Sequence, residues 1–378
     1  MPKILYVTPG CFDKGGISRY NRYQISCLRE LYGEENVRVL SFLGPDENPL
    51  EGTFEVFWHG TIHSTKAKIN FVRKIISTII SWKPQLVLAA HVNYSGLLVM
   101  LSKIFNFKTV LNIYGIEIWS GMSQSAAYGL KNSDFIISDC HNTADYVRNK
   151  KLSAAEMVVI WDCVDIEKFK FNPEGFEALS KKYNLPDREK YFILLTLGRI
   201  SKDAEYKGYS RLLDVFYKVL NRGRHAKLIY AGSGNLISTL QQKAQVLGIE
   251  KHIIFTGSVD EKEMASMYSY GHLFSMVTES GIGMGEGIPL TPLEAMACRT
   301  PIIVGNEDGS REAVFNNENG YVISPQDLET HADIIITLID HPEEQNKLGM
   351  GAEKIAQHYF GYTLFKEKHS IALNKMIA

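Results

Sequence analysis

Short apolar runs, each too short for a helix and separated by segments of helical period, limit this chain to a parallel sheet covered by helices. Up to residue 161 the runs are ILYVT (4–8), VRVLSFL (37–43), FEVFW (54–58), QLVLAA (85–90), TVLNIY (109–114), DFIIS (134–138) and MVVIW (157–161). Seven such strands make one doubly wound sheet. The pattern lapses between Asp165 and Lys190, where Asn172, Pro173, Gly175, Pro186 and Asp187 form turns among frequent lysines, and this reads as an interdomain connection. It restarts with YFILLTLG (191–198), KLIYAG (227–232), HIIFTG (252–257), HLFSMV (272–277) and PIIV (301–304).

The fold class expected is therefore α/β, with two doubly wound Rossmann-like domains facing a cleft. An N-terminal domain over 1–170 and a C-terminal domain over 188–360 are expected. A last helix, 361–378, should cross back to the first domain. In open sheets of this kind ligands bind outside the carboxyl ends of the strands.

Composition narrows the partners. The 378 residues carry 41 Lys and Arg against 42 Asp and Glu, a formal net charge of −1, so no global field draws the chain to nucleic acid. Five cysteines, with no C-x-x-C pair, suggest neither a disulfide framework nor a zinc knuckle and fit a reducing cytoplasm. The start, MPKILYVTPG, reads as a buried strand rather than a signal-peptide core. No stretch approaches the roughly 20 apolar residues of a membrane span.

No G-x-x-x-x-G-K-[ST] occurs, and no strand is followed by G-x-G-x-x-G, which argues against a P-loop or a standard dinucleotide fingerprint. AGSGN (231–235) has two of those glycines, but a strand-to-helix turn needs the same residues. Gly15 and Gly16 follow the first strand and precede a helix, whose N-terminus offers N–H groups to an anion; a tight turn is the competing reading. In LGRISKDAEYKG, Arg199 and Lys207 lie beyond the strand FILLTLG. Two cations over that edge suit a diphosphate, although such residues also line ordinary surface loops.

The most informative block is GEGIPLTPLEAMACRTPIIV (285–304). Pro289 and Pro292 confine the helix to LTPLEAMA and the residues after it, placing the amides of Leu290 and Thr291 at a positive helix end. Glu294, on the first turn, could accept from ribose hydroxyls, and Glu286 could meet a sugar hydroxyl.

This block resembles the E-G-F-G-x-x-x-L-E-A-M-A-x-G-x-P signature of the GT-B retaining glycosyltransferases of family 4, the glycosyl transferases group 1. Other segments are similar in the same order. The Gly15 and Gly16 loop looks like the family's glycine loop, and IYGIEIW (113–119) sits where the family carries H-G-x-E. WDCVDIEKF (161–169) resembles N-G-V-D-x-x-x-F, LGRISKDAEYKG resembles the G-R-x-x-x-x-K-G phosphate loop, and FTGSV (255–259) takes the place of the base-contacting loop. The resemblance implies sugar transfer from a nucleotide sugar, a UDP- or GDP-sugar, with retention and without an obligatory metal or other cofactor. The acceptor implied is a carbohydrate or lipid-linked saccharide, as in bacterial surface polysaccharide synthesis.

On that resemblance Arg199 and Lys207 neutralise the leaving diphosphate and Glu286 holds the donor sugar. Gly15, Gly16, Tyr114, Glu117, Ser258, Val259, Leu290, Thr291 and Glu294 contact the donor. His91 and Arg19 fall on the acceptor side, where His91 could equally cap its loop. Tyr114 replaces the family's histidine, the segment SGIGMG before Glu286 is an insertion, and Ile288 and Pro289 replace Phe-Gly. These departures leave two other readings: a GT-B sugar-nucleotide epimerase, or a catalytically silent sugar-nucleotide binder. The segment 64–82, with Lys66, Lys68, Arg73 and Lys74 around an Ile-rich helix, is either a core helix with a basic flank or a peripheral contact with the inner face of the cytoplasmic membrane.

Overall fold

Each apolar run read from the sequence becomes a parallel strand, buried on both faces inside each sheet because helices cover both sides, and half-buried at the edges over 157–159 and 253–257. In a computed structural model, residues 1–12, 15–44, 54–58, 64–315 and 318–377 are described. The chain divides into two units: Met1–Cys163 with the segment from Tyr362 on, and Val164–Gly361. Asp13 and Lys14 of the glycine loop lie outside the described residues.

The first unit holds β1 (Ile4–Gly10), β2 (Val37–Leu43), β3 (Phe54–Trp58), β4 (Leu86–Ala89), β5 (Lys108–Ile113), β6 (Phe135–Ser138) and β7 (Glu156–Val159). Their order is β3-β2-β1-β4-β5-β6-β7. Ile4 of β1 lies opposite Val37 on one side and Leu86 on the other. The winding reverses between β1 and β4, so the loops after these two strands, carrying Gly15 and His91, flank the switch point where ligands bind.

The second unit holds β8 (Phe192–Leu197), β9 (Ala226–Ala231), β10 (Ile253–Gly257), β11 (Leu273–Met276), β12 (Ile302–Gly305) and β13 (Gly320–Ile323). Their order is β10-β9-β8-β11-β12-β13. Here the reversal falls between β8 and β11. The loop after β8 carries Arg199 and Lys207, and the loop after β11 carries Glu286.

The helix Thr65–Trp82 buries Ala67, Phe71, Ile75, Ile79 and Trp82, one stripe of helical period. Phe71 packs on Phe42 with ring centroids 5.4 Å apart, in the core that also contains Leu5 and Val7. The Ile-rich face of this segment is thus a core face. Lys66, Lys68 and Arg73 lie on the exposed side with Ile69 and Ile80, and Lys74 pairs with Glu55 at 2.7 Å.

The expected connection over 165–190 is not an open linker, and the first domain ends at Cys163 rather than residue 170. The segment contains a 3-10 turn, Pro173–Gly175, and a helix, Phe176–Tyr183. Asn172 anchors both through hydrogen bonds of 3.0 Å and 2.9 Å with Ser269 and Ser266 of the helix Met264–Tyr270. The sequence hid this because turn formers dominate the composition while the bonds that seat the segment come from residues about a hundred positions away.

The last helix, Tyr362–Ile377, belongs to the first unit. It packs on the helix Gly16–Tyr32, where Glu30 accepts from Tyr362 Oη at 2.8 Å and pairs with Lys366 at 2.7 Å. Beneath that surface pair lies a buried polar network. Gln24 Nε2 donates to His369 Nε2 at 2.9 Å and to Asn112 Oδ1 at 3.3 Å. Gln24 Oε1 accepts from Asn112 Nδ2 at 2.6 Å and from Tyr6 Oη at 2.8 Å. With Nε2 accepting, the proton of His369 sits on Nδ1, which donates to the Phe365 carbonyl at 2.9 Å. All five cysteines are buried thiols, with no disulfide among the described residues.

Candidate functional site

In the second unit the candidate residues gather across its switch point. After β8 the chain forms a 3-10 helix, Lys202–Lys207, and Lys207 Nζ pairs with Glu286 Oε1 at 3.0 Å. Both side chains are about one-fifth exposed. Burial works against the charge on Lys207, but the Glu286 carboxylate beside it holds its pKa above the ordinary lysine value. At neutral pH Lys207 is an ammonium, poised for an anion. Tyr206, which the sequence reading missed, donates to the same Oε1 at 2.7 Å; burial and the Glu286 charge raise its pKa, so it remains a neutral donor. Glu286 Oε2 accepts no bond from the described residues.

Arg199 is 70% exposed at its side chain and pairs with Asp203 at 3.0 Å. Its loop is braced from below by AGSGN. Ile200 N donates to the Ser233 carbonyl at 3.0 Å, and Leu236 N to the Ile200 carbonyl at 3.1 Å. A Cβ on Gly232 would stand 1.9 Å from Gly198 O, and one on Gly234 would stand 2.1 Å from Ile200 O. These glycines therefore serve the close approach of two backbones, which is the turn reading.

The helix after Glu286 runs Leu290–Ala297, starting at Pro289 with no side chain capping its first N–H groups. Leu290 is buried and Thr291 half-buried, and the amides of both fall in this uncapped first turn. Glu294 is only 1% exposed, and its Oε2 accepts from Tyr268 Oη at 2.7 Å. Its carboxylate is buried beside Tyr268. Ser258 is exposed and donates to Ser233 Oγ at 2.9 Å, next to half-buried Val259.

In the first unit the candidate residues lie beyond the carboxyl ends of β1, β4, β5 and β7. Gly15 and Gly16 are exposed, and a Cβ on either would meet nothing within 4 Å, so the glycines leave room at the start of the helix Gly16–Tyr32. His91 caps the helix Val92–Ser102, its Nδ1 accepting from Asn93 N at 3.3 Å. Burial lowers its pKa, with Glu117 pulling the other way, so it is a neutral imidazole. Glu117 Oε1 accepts from Tyr114 N at 2.6 Å, while Oε2 is buried without a protein hydrogen-bond partner.

Tyr114 is only 7% exposed. Its hydroxyl donates to Asn21 Oδ1 at 3.0 Å and accepts from Asn112 Nδ2 at 3.2 Å. The ring where the family carries histidine is thus a member of the buried network. Arg19 is half-buried, and its charge pulls down the pKa of Asp162, which burial nonetheless keeps well above the usual carboxylate range. Asp162, three residues beyond β7, was not foreseen, since WDCVD gave no sign that its first acid would be buried. Among the described residues no group of three or more His, Cys, Asp or Glu side chains could hold a metal ion.

Residues 176–355 match the family model described as glycosyl transferases group 1, almost the whole of the second unit. The match lies in the second unit and covers a little under half of the chain. The chain is 28% identical over 215 residues to a GDP-mannose-dependent alpha-(1-6)-phosphatidylinositol monomannoside mannosyltransferase of Mycobacterium tuberculosis, covering 55% of this chain and 54% of that one. It is 31% identical over 177 residues to an alpha-monoglucosyldiacylglycerol synthase of Streptococcus pneumoniae, covering 46% of this chain and 38% of that one. The chain spans about half the length of the curated relatives it matches. Among solved structures it is similar to a sucrose-phosphate synthase from Thermosynechococcus elongatus, with a TM-score of 0.80 at 17% identity over 99% of both chains. Anabaena HepE in complex with UDP-glucose gives a TM-score of 0.79 at 18% identity, over 99% of this chain and 100% of that one. Both sheets are those of the GT-B fold.

Proposed function

We propose that the protein transfers a glycosyl group, with retention, from a UDP- or GDP-sugar to a carbohydrate or lipid-linked saccharide. The observation that carries this reading is the cluster at the second unit's switch point: ammonium Lys207 held by Glu286, with exposed Arg199 on the same loop. Departure of a nucleoside diphosphate concentrates negative charge on the β-phosphate. Lys207, Arg199 and the uncapped amides of Leu290 and Thr291 supply positive charge to it in fixed positions, without reorganisation at the moment of bond breaking. In this role they act where other transferases place a divalent ion. Glu286 Oε2, unoccupied by protein donors, accepts from a donor-sugar hydroxyl, and Ser258 and Val259 lie beside the base. The GDP-mannose dependence of one relative and the UDP-glucose bound to one structural neighbour support a nucleotide-sugar donor.

On the acceptor side the reading rests on His91, Arg19 and the open glycine loop. For a lipid-linked acceptor, the exposed Lys66, Lys68, Ile69, Arg73 and Ile80 would meet anionic lipid, giving a cytoplasmic protein peripheral to its membrane. The test is nucleoside diphosphate release from UDP- and GDP-sugars with and without saccharide acceptors. Release that requires acceptor is expected, and Lys207→Met should lower kcat at least about 100-fold, the range for losing one preorganised charge donor. Conversion of the donor sugar with no acceptor present, or near-normal turnover by Lys207→Met, would overturn the assignment.

A further inference from the structure

The chain from Val277 to Pro289 carries Glu286 yet has no helix or strand of its own. It includes the inserted SGIGMG, in which Gly281 and Met284 bond each other's backbone at 3.2 Å and Ile282 is 91% exposed. Such a segment does not by itself fix a carboxylate. Two consecutive acids from the loop after β12 hold its two ends. Glu307 Oε2 accepts from Ser280 N at 2.9 Å, and Asp308 Oδ2 accepts from Glu286 N at 2.8 Å. The Glu286 carbonyl accepts from Gly309 N at 3.0 Å, so both peptides of Glu286 are tied to one loop. Asp308 is fully buried, and its Oδ1 accepts from Ser310 N at 3.0 Å, which fixes the carboxylate that does the holding.

We propose that Glu307 and Asp308 form a clamp that closes the inserted loop and positions Glu286, with Asp308 the positioning residue for donor-sugar recognition. This rests on Glu286 binding the donor sugar, as proposed above. Asp308 faces Glu286 N, Ser310 N, and the hydroxyls of Ser310 and Thr278. An amide in its place offers one oxygen to these donors and turns an N–H₂ toward the rest. The backbone of Glu286 then loses its anchor, while Arg199 and the helix Leu290–Ala297 keep theirs and Lys207 keeps its own loop.

The experiment is calorimetric binding of UDP and GDP, and of UDP-glucose and GDP-mannose, to the whole chain and its variants. Asp308→Asn is expected to weaken the bound nucleotide sugar at least tenfold while the matching nucleoside diphosphate changes less than twofold. Added to Glu286→Gln it should cost little more, because both act on one contact. Glu307→Ala, at an exposed position, keeps the proposal testable if Asp308→Asn does not fold; faster thermolysin cleavage beside Ile282 and weaker nucleotide-sugar binding are expected. Equal losses for sugar and diphosphate in Asp308→Asn, or an unaltered loop in Glu307→Ala, overturn the clamp. If Glu286→Gln itself leaves nucleotide-sugar affinity unchanged, the role of Glu286 fails and the clamp's purpose with it. If only the Asp308 and Glu307 variants bind normally, the clamp alone fails.

Discussion

Replacing Gln24 by Met keeps its volume and removes both of its polar atoms. The amide makes four bonds in the first unit's core, but their loss is not equal. Tyr6 Oη keeps Asn21 at 2.9 Å, and Asn112 Nδ2 keeps Tyr114 Oη at 3.2 Å. His369 Nε2 and Asn112 Oδ1 depend on Gln24, so two buried atoms are orphaned. At about 1–3 kcal/mol each the loss is about 2–6 kcal/mol, a large share of the ~5–15 kcal/mol that holds a domain. All four tryptophans, Trp58, Trp82, Trp119 and Trp161, belong to the first unit. Denaturant unfolding followed by tryptophan fluorescence therefore reads this unit alone. Gln24→Met with His369→Phe should cost less than the sum of the single changes, since an apolar pair leaves the imidazole unneeded. A loss below about 0.5 kcal/mol for Gln24→Met, or strict additivity in the pair, would refute the network reasoning.

The same histidine gives a pH dependence. Burial lowers the pKa of His369 from 6.5 to about 4. A depressed histidine means that the unfolded chain binds the proton first, so the stability is present above about pH 6.5 and is lost as pH falls toward 4. The 2.5-unit difference corresponds to about 3 kcal/mol, and the fluorescence-detected unfolding of His369→Phe should lose that part of the slope. Gly234→Ala forces a Cβ to 2.1 Å from Ile200 O and should lower the calorimetric transition of the second unit by at least about 2 kcal/mol; a variant as stable as the parent would show that the Arg199 loop is not braced there. In flotation with anionic vesicles, a Lys66→Gln, Lys68→Gln, Arg73→Gln triple variant should lose about 1 kcal/mol of membrane affinity per cation, and equal flotation of variant and parent would remove the lipid contact.

How much of the site could be read in advance depended on whether a residue's role is local. Arg199 and Lys207 were legible because a strand end and a loop length place them at the sheet edge whatever packs nearby. Glu286 was legible only through its spacing from Glu294, since its own segment depends on Asp308 to hold it. Tyr206 and Asp308 were not, because their roles exist only where separate loops meet: Tyr206 lies 80 positions from Glu286, and Asp308 lies 22 positions beyond it. Tyr114 and Glu294 show the limit from the other side. Each lies in the motif that carries the family resemblance, but its hydrogen bond to a buried partner, Asn21 in one case and Tyr268 in the other, could not be read from the motif.

By itself the sequence determined two parallel sheets, since continuous apolar runs can be satisfied only as strands covered on both faces. It also determined which loops leave their carboxyl edges. Only the tertiary structure decided that 164–187 joins the second unit, that the last helix shares a polar core with the first, and that Lys207 is paired with Glu286. Periodicity is a property of neighbours along the chain, whereas a hydrogen bond or ion pair between loops depends on how strands far apart in sequence are ordered side by side.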